Sequence, residues 1–334
     1  MKQVGIDVGH KELVVVVRVK GKNQKPKRFR NEAEGHLVLI QWLQGKGGPM
    51  RVCLEATGIY HFDLAVALSK VRELELMVLN PKAARRFGEA LMTRTKTDPV
   101  DAGVLAEYAE RMEFVRWQCP ADPVLTLRAF SRRIGALTKL KTQTKNQLHA
   151  AEHCGFTPQA VLAQMQSMIS DLDNQIRALQ SHAATLIQAE PEIQEAFALL
   201  TSIRGIGERS AIQLMGELLV LPKDMNARQW VAFAGLDPRL VQSGSSVYKK
   251  PRISKAGNRY LRLALYMPAL VAVHHEPQVR AYYQHLIQDQ GLKKLQALCA
   301  VMRKLLHAIH GMLASRTAFD SDRFYKGKIA PVST

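Results

Sequence analysis

The first hundred or so positions alternate short β-branched runs with amphipathic stretches. Val4 to Val8 and Leu13 to Val19 are apolar runs separated by a short segment that begins at Gly9-His10, a pattern that predicts a β-hairpin. The segment 25–31 adds a third strand. His36 to Leu43 has helical apolar spacing, Met50 to Leu54 returns to strand, His61 to Arg72 reads as helix and Leu74 to Leu79 as strand. Helices follow over 82–92 and 98–112. Early antiparallel strands followed by alternating helix and strand predict a mixed sheet with helices on its faces, an α/β domain over residues 1–118.

The period then changes. Leu127, Phe130, Ile134 and Leu137 are spaced 3, 4, 3. After a break at Cys154-Gly155-Phe156-Thr157-Pro158, the residues Met165, Ile169, Leu172, Ile176, Leu179, Ala183 and Leu186 alternate by 4 and 3. Such an a/d seam on two long helices predicts an antiparallel hairpin or a dimerising coiled coil over 119–195. From 196 to 334 the pattern is mainly helical, with core helices expected over Leu261 to Val273 and Leu292 to Leu313. Within it, Gly205-Ile206-Gly207 has the Gly-apolar-Gly signature of a helix-hairpin-helix element. There the glycines permit a tight turn, and free N–H groups at the next helix start can grip a phosphate.

Charge narrows the class. The 334 residues carry 47 Lys and Arg against 29 Asp and Glu, a formal net charge of +18. Such an excess attracts a polyanion, and nucleic acid is the commonest large one. No long uncharged apolar run suggests a bilayer span, and the N-terminal residues lack a signal-peptide h-region. Cys53, Cys119, Cys154 and Cys299 lie far apart with no CxxC pair, which argues against zinc and a disulfide framework. The expectation is a cytoplasmic protein without a membrane partner, nucleoid-associated when bound to DNA.

Two groups of residues carry candidate chemistry. The first is acidic: Asp7 and Glu55 follow apolar strand runs, and Asp98 and Asp101 lie three apart with Pro99 between them. That spacing puts both aspartates on one helical face, although Asp98 also reads as an N-cap. If the four converge, their repulsion calls for a divalent cation, and oxygen ligands without His or Cys favour Mg²⁺ or Mn²⁺. Such ions serve phosphodiester chemistry by polarising the phosphate. The element order resembles the ribonuclease-H-like fold of RuvC-type resolvases. The second group is basic: from Tyr248 to Arg262 the chain carries Lys249, Lys250, Arg252, Lys255, Arg259 and Arg262 and no acid. Each is a candidate phosphate contact, as is Lys96 beside Asp98. Just ahead stand Ser243, Ser245 and Ser246, either a phosphate-gripping loop or a nucleophile. Ser254 reads as a cap or a phosphate contact, and Tyr248, Tyr260 and Tyr266 read as packing rather than as nucleophiles.

Taken together, GIDVG, LEATG with Tyr60 close behind, RTKTDPVDA, IRGIG, FAGLDPR and QSGSSVYKKPRISKAGNRYLRLALYMPA resemble the motifs of the insertion-sequence-110 transposases, relatives of the Piv-type DNA invertases. The resemblance spans about 4 to 320, in the family's domain order. It implies a recombinase that excises and inserts its own mobile element. It assigns a metal-holding tetrad to Asp7, Glu55, Asp98 and Asp101, and a nucleophile to Ser243. It further implies double-stranded target and donor DNA, a structured guide RNA from the same element, and dimers that assemble into a tetramer with help from the coiled coil. Tyr248-Lys249-Lys250-Pro251 is bulkier than the Gly/Ala-rich loop expected there. The competing reading is a metal-dependent nuclease that uses water, its C-terminal domain only binding DNA. A phosphoserine ester would conserve bond energy for rejoining, and the chain has no GxxxxGK[ST] loop for a nucleotide.

Overall fold

The structure is a computed structural model that describes residues 1–326, apart from 57, 93, 94, 96 and 244–246; for 241–243 and 247–250 it describes the backbone alone. The chain forms two compact units, Met1–Cys119 and Pro120–Thr334.

In the N-terminal unit β1 (Lys2–Val8) and β2 (Glu12–Val19) make the expected hairpin, closed where Gly9 N–H donates to Glu12 O at 2.9 Å. A second, two-residue turn at Lys20-Gly21 leads into β3 (Lys22–Asn23), and β4 (Lys27–Arg30) returns along the first half of β2. Then come α1 (Ala33–Gln44), β5 (Met50–Glu55) parallel to β1, α2 (Phe62–Ser69) and β6 (Leu74–Leu79) parallel to β5. The sheet order is β3-β2-β1-β5-β6, with β4 pairing β2. Helices α3 (Pro81–Ala90) and α4 (Asp98–Arg111) complete the unit.

The two-residue period of the strands sorts the core into two layers. Val4, Ile6, Val52 and Leu54 pack with Leu39, Leu43, Leu64 and Leu68 of α1 and α2. On the opposite face Cys53 and Met77 pack with Leu105 and Ala109 of α4, and Val14 and Val16 with Ala102. Gly5 makes this second layer thin. A Cβ there would lie 1.9 Å from the carbonyl oxygen of Ala102 and 2.4 Å from the nitrogen of Ala106, so α4 rests directly on the backbone of β1.

The C-terminal unit starts with α5 (Asp122–Glu152) and α6 (Gln159–Ala189), each 31 residues long. Phe130 stacks on His182 and Lys141 pairs with Asp173, which is an antiparallel register. Of the predicted seam, Leu172, Ile176 and Ala183 are buried and Leu179 and Leu186 partly so, with Ile187 buried beside Leu186, whereas Met165 and Ile169 toward the tip are half-exposed. The base of α5 shares one core with α7 (Pro191–Thr201), α8 (Glu208–Leu218), α9 (Ala227–Ala234), α10 (Arg259–His275), α11 (Pro277–Gln288) and α12 (Lys294–Ser315). Between α9 and α10 stands a hairpin of β7 (Pro238–Ser243) and β8 (Val247–Ile253), and α13 (Ser321–Phe324) follows α12. Among the described residues, α12 is long and apolar enough to cross a membrane. Its apolar residues Leu298, Val301, Leu305 and Ile309 are buried in this core, and Arg303 and Lys304 interrupt it.

Candidate active site

The fold brings the four predicted acids to one place. The parallel register that pairs Gly5 with Cys53 and Ile6 with Leu54 leads Asp7 and Glu55 out at the same level of adjacent strands. Side chains two apart share a face, so Asp7 lies on the side of Gly5 and Glu55 on the side of Cys53, both toward α4. Asp98 and Asp101 occupy the first turn of α4, leading directly into the Ala102 that touches Gly5. Thr97, not Asp98, is the N-cap residue, so the N-cap reading of Asp98 does not hold. Both aspartates sit where the helix dipole favours negative charge.

The electrostatic consequence falls on Asp7. Its carboxyl is pushed up from 3.8 to about 6, first by burial and then by Asp98, Asp101 and Glu55, against a lowering bond from the Val8 backbone. All three other acids therefore act on Asp7. Among the described residues, no group of three or more His, Cys, Asp or Glu is drawn close enough to hold a metal ion as the side chains stand. Like charges gathered around Asp7 repel one another, and a bound cation would offset that repulsion. Hard carboxylate oxygens from two strand ends and a helix start suit a divalent metal of the Mg²⁺ or Mn²⁺ class.

Two residues that the sequence pattern did not single out steady this corner. Asn31 donates through Nδ2 to Gly9 O at 2.8 Å and to Tyr60 O at 3.1 Å, tying together the loops that follow β1 and β5. Its Oδ1 is 2.8 Å from Nε2 of the buried His36, whose pKa is lowered by burial. A neutral ring can donate there without placing a buried charge. His10 and Tyr60, in those same two loops, meet edge to face with ring centroids 4.8 Å apart.

In the C-terminal unit Ser243 ends β7, opposite Val247. Its side chain, those of Lys249 and Lys250, and all of Lys96, Ser245 and Ser246 lie outside the described residues. The root of the hairpin is fully described. Ser254 N–H donates to Asp237 O at 2.8 Å and its Oγ to Asp237 Oδ1 at 2.5 Å, so Ser254 closes the hairpin root, while the N-cap of α10 is Asn258. Gly257, at φ +131°, passes so close to α9 that a Cβ would lie 2.2 Å from Phe233 O. Asn258 caps α10 through Oδ1 and donates through Nδ2 to Glu217 at 2.6 Å. Glu217 is buried and takes a two-pronged bond from Arg132 at 2.8 and 3.1 Å, with Arg128 at 3.8 Å.

The remaining basic candidates divide. Arg252 and Lys255 are exposed, and Arg252 stands directly across from Arg239, a like-charged pair that an anion would relieve. Arg259 and Arg132 both lie over the ring of Tyr260, at 5.0 and 4.6 Å. Arg262 is half-buried and donates to Ala234 O at 2.7 Å, so its visible task is to close the end of α9 rather than to meet a phosphate. Gly205, at φ +114°, lets the turn between α7 and α8 approach Pro268 and Ala272 of α10, where a Cβ would lie 2.9 Å from backbone. Gly207 begins α8, with Glu208 in the first turn.

Comparison with known proteins agrees with these features. Residues 4–151 match a DEDD-type family described as a transposase, and residues 197–284 match the family described as transposase IS116/IS110/IS902. The chain is similar to the pilin gene-inverting protein of Moraxella lacunata, 30% identical over 303 residues that cover 87% of this chain and 89% of the relative. Its counterpart in Moraxella bovis is 29% identical over 299 residues, with the same coverage. An insertion element IS110 uncharacterized 43.6 kDa protein of Streptomyces coelicolor is 28% identical over 164 residues, 48% of this chain and 38% of that protein. A DEDD-type domain suggests a divalent metal, and a transposase acts on DNA. The chain therefore belongs to the IS110 family of transposases.

Proposed function

We propose that the chain is an RNA-guided DNA recombinase of its own insertion sequence, which cuts and rejoins strands through a phosphoserine formed on Ser243. Asp7, Glu55, Asp98 and Asp101 would hold Mg²⁺, which when bound supplies Lewis-acid stabilisation of charge on the phosphate and the leaving oxygen. The observation that carries this reading is the action of three acids on the raised carboxyl of Asp7. The similarity to pilin gene-inverting proteins, over 87% of this chain, supports strand exchange rather than simple cleavage, because inversion requires every cut to be rejoined.

The chain's own residues then have these roles. Ser243 Oγ bonds to phosphorus as the P–O3′ bond breaks, and the hydroxyl proton is balanced by protonation of the departing 3′ oxygen. The ester keeps the bond energy of the phosphodiester, so attack by a new 3′ hydroxyl rejoins DNA without a nucleotide cofactor. Arg252, Lys255 and Arg259, with Lys249 and Lys250, hold the strand by its phosphates. The α5–α6 arm, with its half-exposed outer seam, is the segment assigned to dimer and tetramer assembly. Base pairing with a structured RNA would select the target and donor sequences.

The test is to trap the purified protein on a nicked element-end duplex with Mg²⁺ and map the attachment site by mass spectrometry. DNA linked to Ser243, lost in Ser243→Ala and in Asp7→Asn, is the expected result. Recombination by Ser243→Ala would defeat the proposal, and cleavage without attachment would favour the water-using nuclease. Sequencing of RNA that copurifies with the protein from cells carrying the flanking element tests the guide.

A further inference from the structure

The N-terminal unit has 20 Lys and Arg against 14 Asp and Glu, an excess of six. Residues 20–30 alone contain six basic side chains and no acid. The whole excess of the unit therefore sits on one sheet edge, formed by the tip of the β2–β3 turn and by β4. Lys20, Lys22, Lys25, Arg28 and Arg30 are all exposed.

The strand register relates this edge to the acids. Asp7 pairs with Val14, and Val14 pairs with Arg28. Paired residues on adjacent strands project from the same face, and Val14 packs against Ala102 of α4. Arg28 and, two residues on, Arg30 thus emerge on the face that carries Asp7. Two strand spacings separate Arg28 from Asp7, about 10 Å. Lys27 and Phe29 point to the other face, where Lys27 lies 5.1 Å over Trp42. Arg28 pairs with Glu12, and Arg30 lies 3.4 Å from Glu32, but both pairs are exposed and exchange readily for a phosphate. Lys20, Lys22 and Lys25 enter none of the ion pairs among the described residues.

We propose that this edge is a phosphate-backbone track for the DNA strand held at the acidic site. Arg28 and Arg30 would meet phosphates two or three positions from the reacting one, since a single strand advances about 3.4 Å per nucleotide along the axis. Lys25, Lys22 and Lys20 carry the track onward. A bland alternative exists, because lysines and a proline such as Pro26 also guard edge strands against aggregation. Guarding an edge does not explain Lys20, which occupies a left-handed turn position (φ +49°) ahead of Gly21 (φ +76°), where Asn-Gly is the favoured pair. The lysine is held at the tip against local backbone preference. Arg18 braces that tip by bonding Asn23 at 2.9 Å and Glu110 of α4 at 2.6 Å.

The proposal rests on the acids being the site of strand chemistry, and its test separates the two. Full-length Asp7→Asn protein, alone and combined with Arg28→Gln/Arg30→Gln or with Lys20→Gln/Lys22→Gln/Lys25→Gln, is titrated with an element-end duplex across a salt series. The arginine pair should lower the slope of log affinity against log salt by about two and the lysine triple by about three. Phosphate-ethylation interference two or three positions from the cleavage point should vanish in Arg28→Gln/Arg30→Gln. Unchanged slope and interference, with or without aggregation of the variants, would overturn the track. So would a loss confined to a structured RNA competitor with the DNA slope intact. If Asp7→Asn still recombines while the track variants still lose slope, the reading of the acids fails and the backbone contact stands.

Discussion

Replacing Asp7 with Asn should stabilise the metal-free protein while abolishing its response to metal. The folded carboxyl titrates at about 6 against an ordinary 3.8, a rise caused by burial and by three neighbouring acids. Below about pH 3 the group is neutral in both folded and unfolded chains and has no effect. As pH rises the unfolded carboxyl ionises first, and stability falls until the folded group has also ionised, just above pH 6. The gap between the two titrations corresponds to about 3 kcal/mol at pH 8, which solvent screening of this half-exposed group reduces to about 2. Asn, still able to accept from the Val8 N–H, recovers about 1–2 kcal/mol of it.

Urea unfolding followed by tryptophan fluorescence in a Trp230→Phe background reads this directly, since the other two tryptophans, Trp42 and Trp117, both lie in the N-terminal unit. With a slope of about 2 kcal/mol per molar, the midpoint of Asp7→Asn should exceed wild type by roughly 0.5–1 M at pH 8 and match it at about pH 3. Adding millimolar Mg²⁺ at pH 8 should raise the wild-type midpoint and leave the variant almost unmoved, because only the wild type gains binding free energy. A variant less stable than wild type at pH 8, or a difference that does not shrink on acidification, refutes the repulsion argument. Equal stabilisation of both proteins by Mg²⁺ would place the ion elsewhere.

Three other substitutions probe the supports. Gly5→Ala forces α4 off β1, since both contacts below 2.5 Å are to backbone; a loss of about 3–5 kcal/mol and of the Mg²⁺ response is expected in the same urea assay. Glu217→Gln leaves Arg132 and Arg128 without a buried counter-charge and should cost about 3–5 kcal/mol, read by thermal unfolding of the full chain. Lys20→Asn relieves a left-handed lysine and should raise stability by about 0.5–1 kcal/mol, while lowering the salt slope of DNA binding by about one.

Much of the N-terminal unit was legible because its cores follow local periods. Val4, Ile6 and Val8 alternate, and Asp7 and Glu55 end apolar runs, so both strand ends could be read directly from the chain. The geometry that unites the acids was not, because it depends on Gly5, whose only signal is a missing side chain facing Ala102, 97 positions away. Asn31 and Glu217 escaped notice for the same reason: a lone amide and a lone acid acquire meaning only through distant partners. The basic run from Lys249 to Arg262 looked uniform, yet folding assigns Arg262 to a helix end and leaves Arg252 facing Arg239. The short β3, two residues long, carries too little pattern to be recognised.

The sites share one physical feature: each is poorly satisfied in the free protein. Three acids and burial raise Asp7, Arg239 and Arg252 oppose each other across a two-stranded ribbon, and Lys20 and Lys255 hold left-handed backbone at φ +49° and +52°. None of these arrangements is explained by the stability of the fold, and each lowers it. A divalent cation resolves the first, and a polyanion offsets the others. Each of these locally unfavourable choices falls where a ligand of opposite sign is expected, with acids at strand ends and cations on ribbon, turn and edge. Bound metal and DNA should therefore stabilise the protein by more than uniform surface charge would allow, because they remove costs already present in the unbound chain.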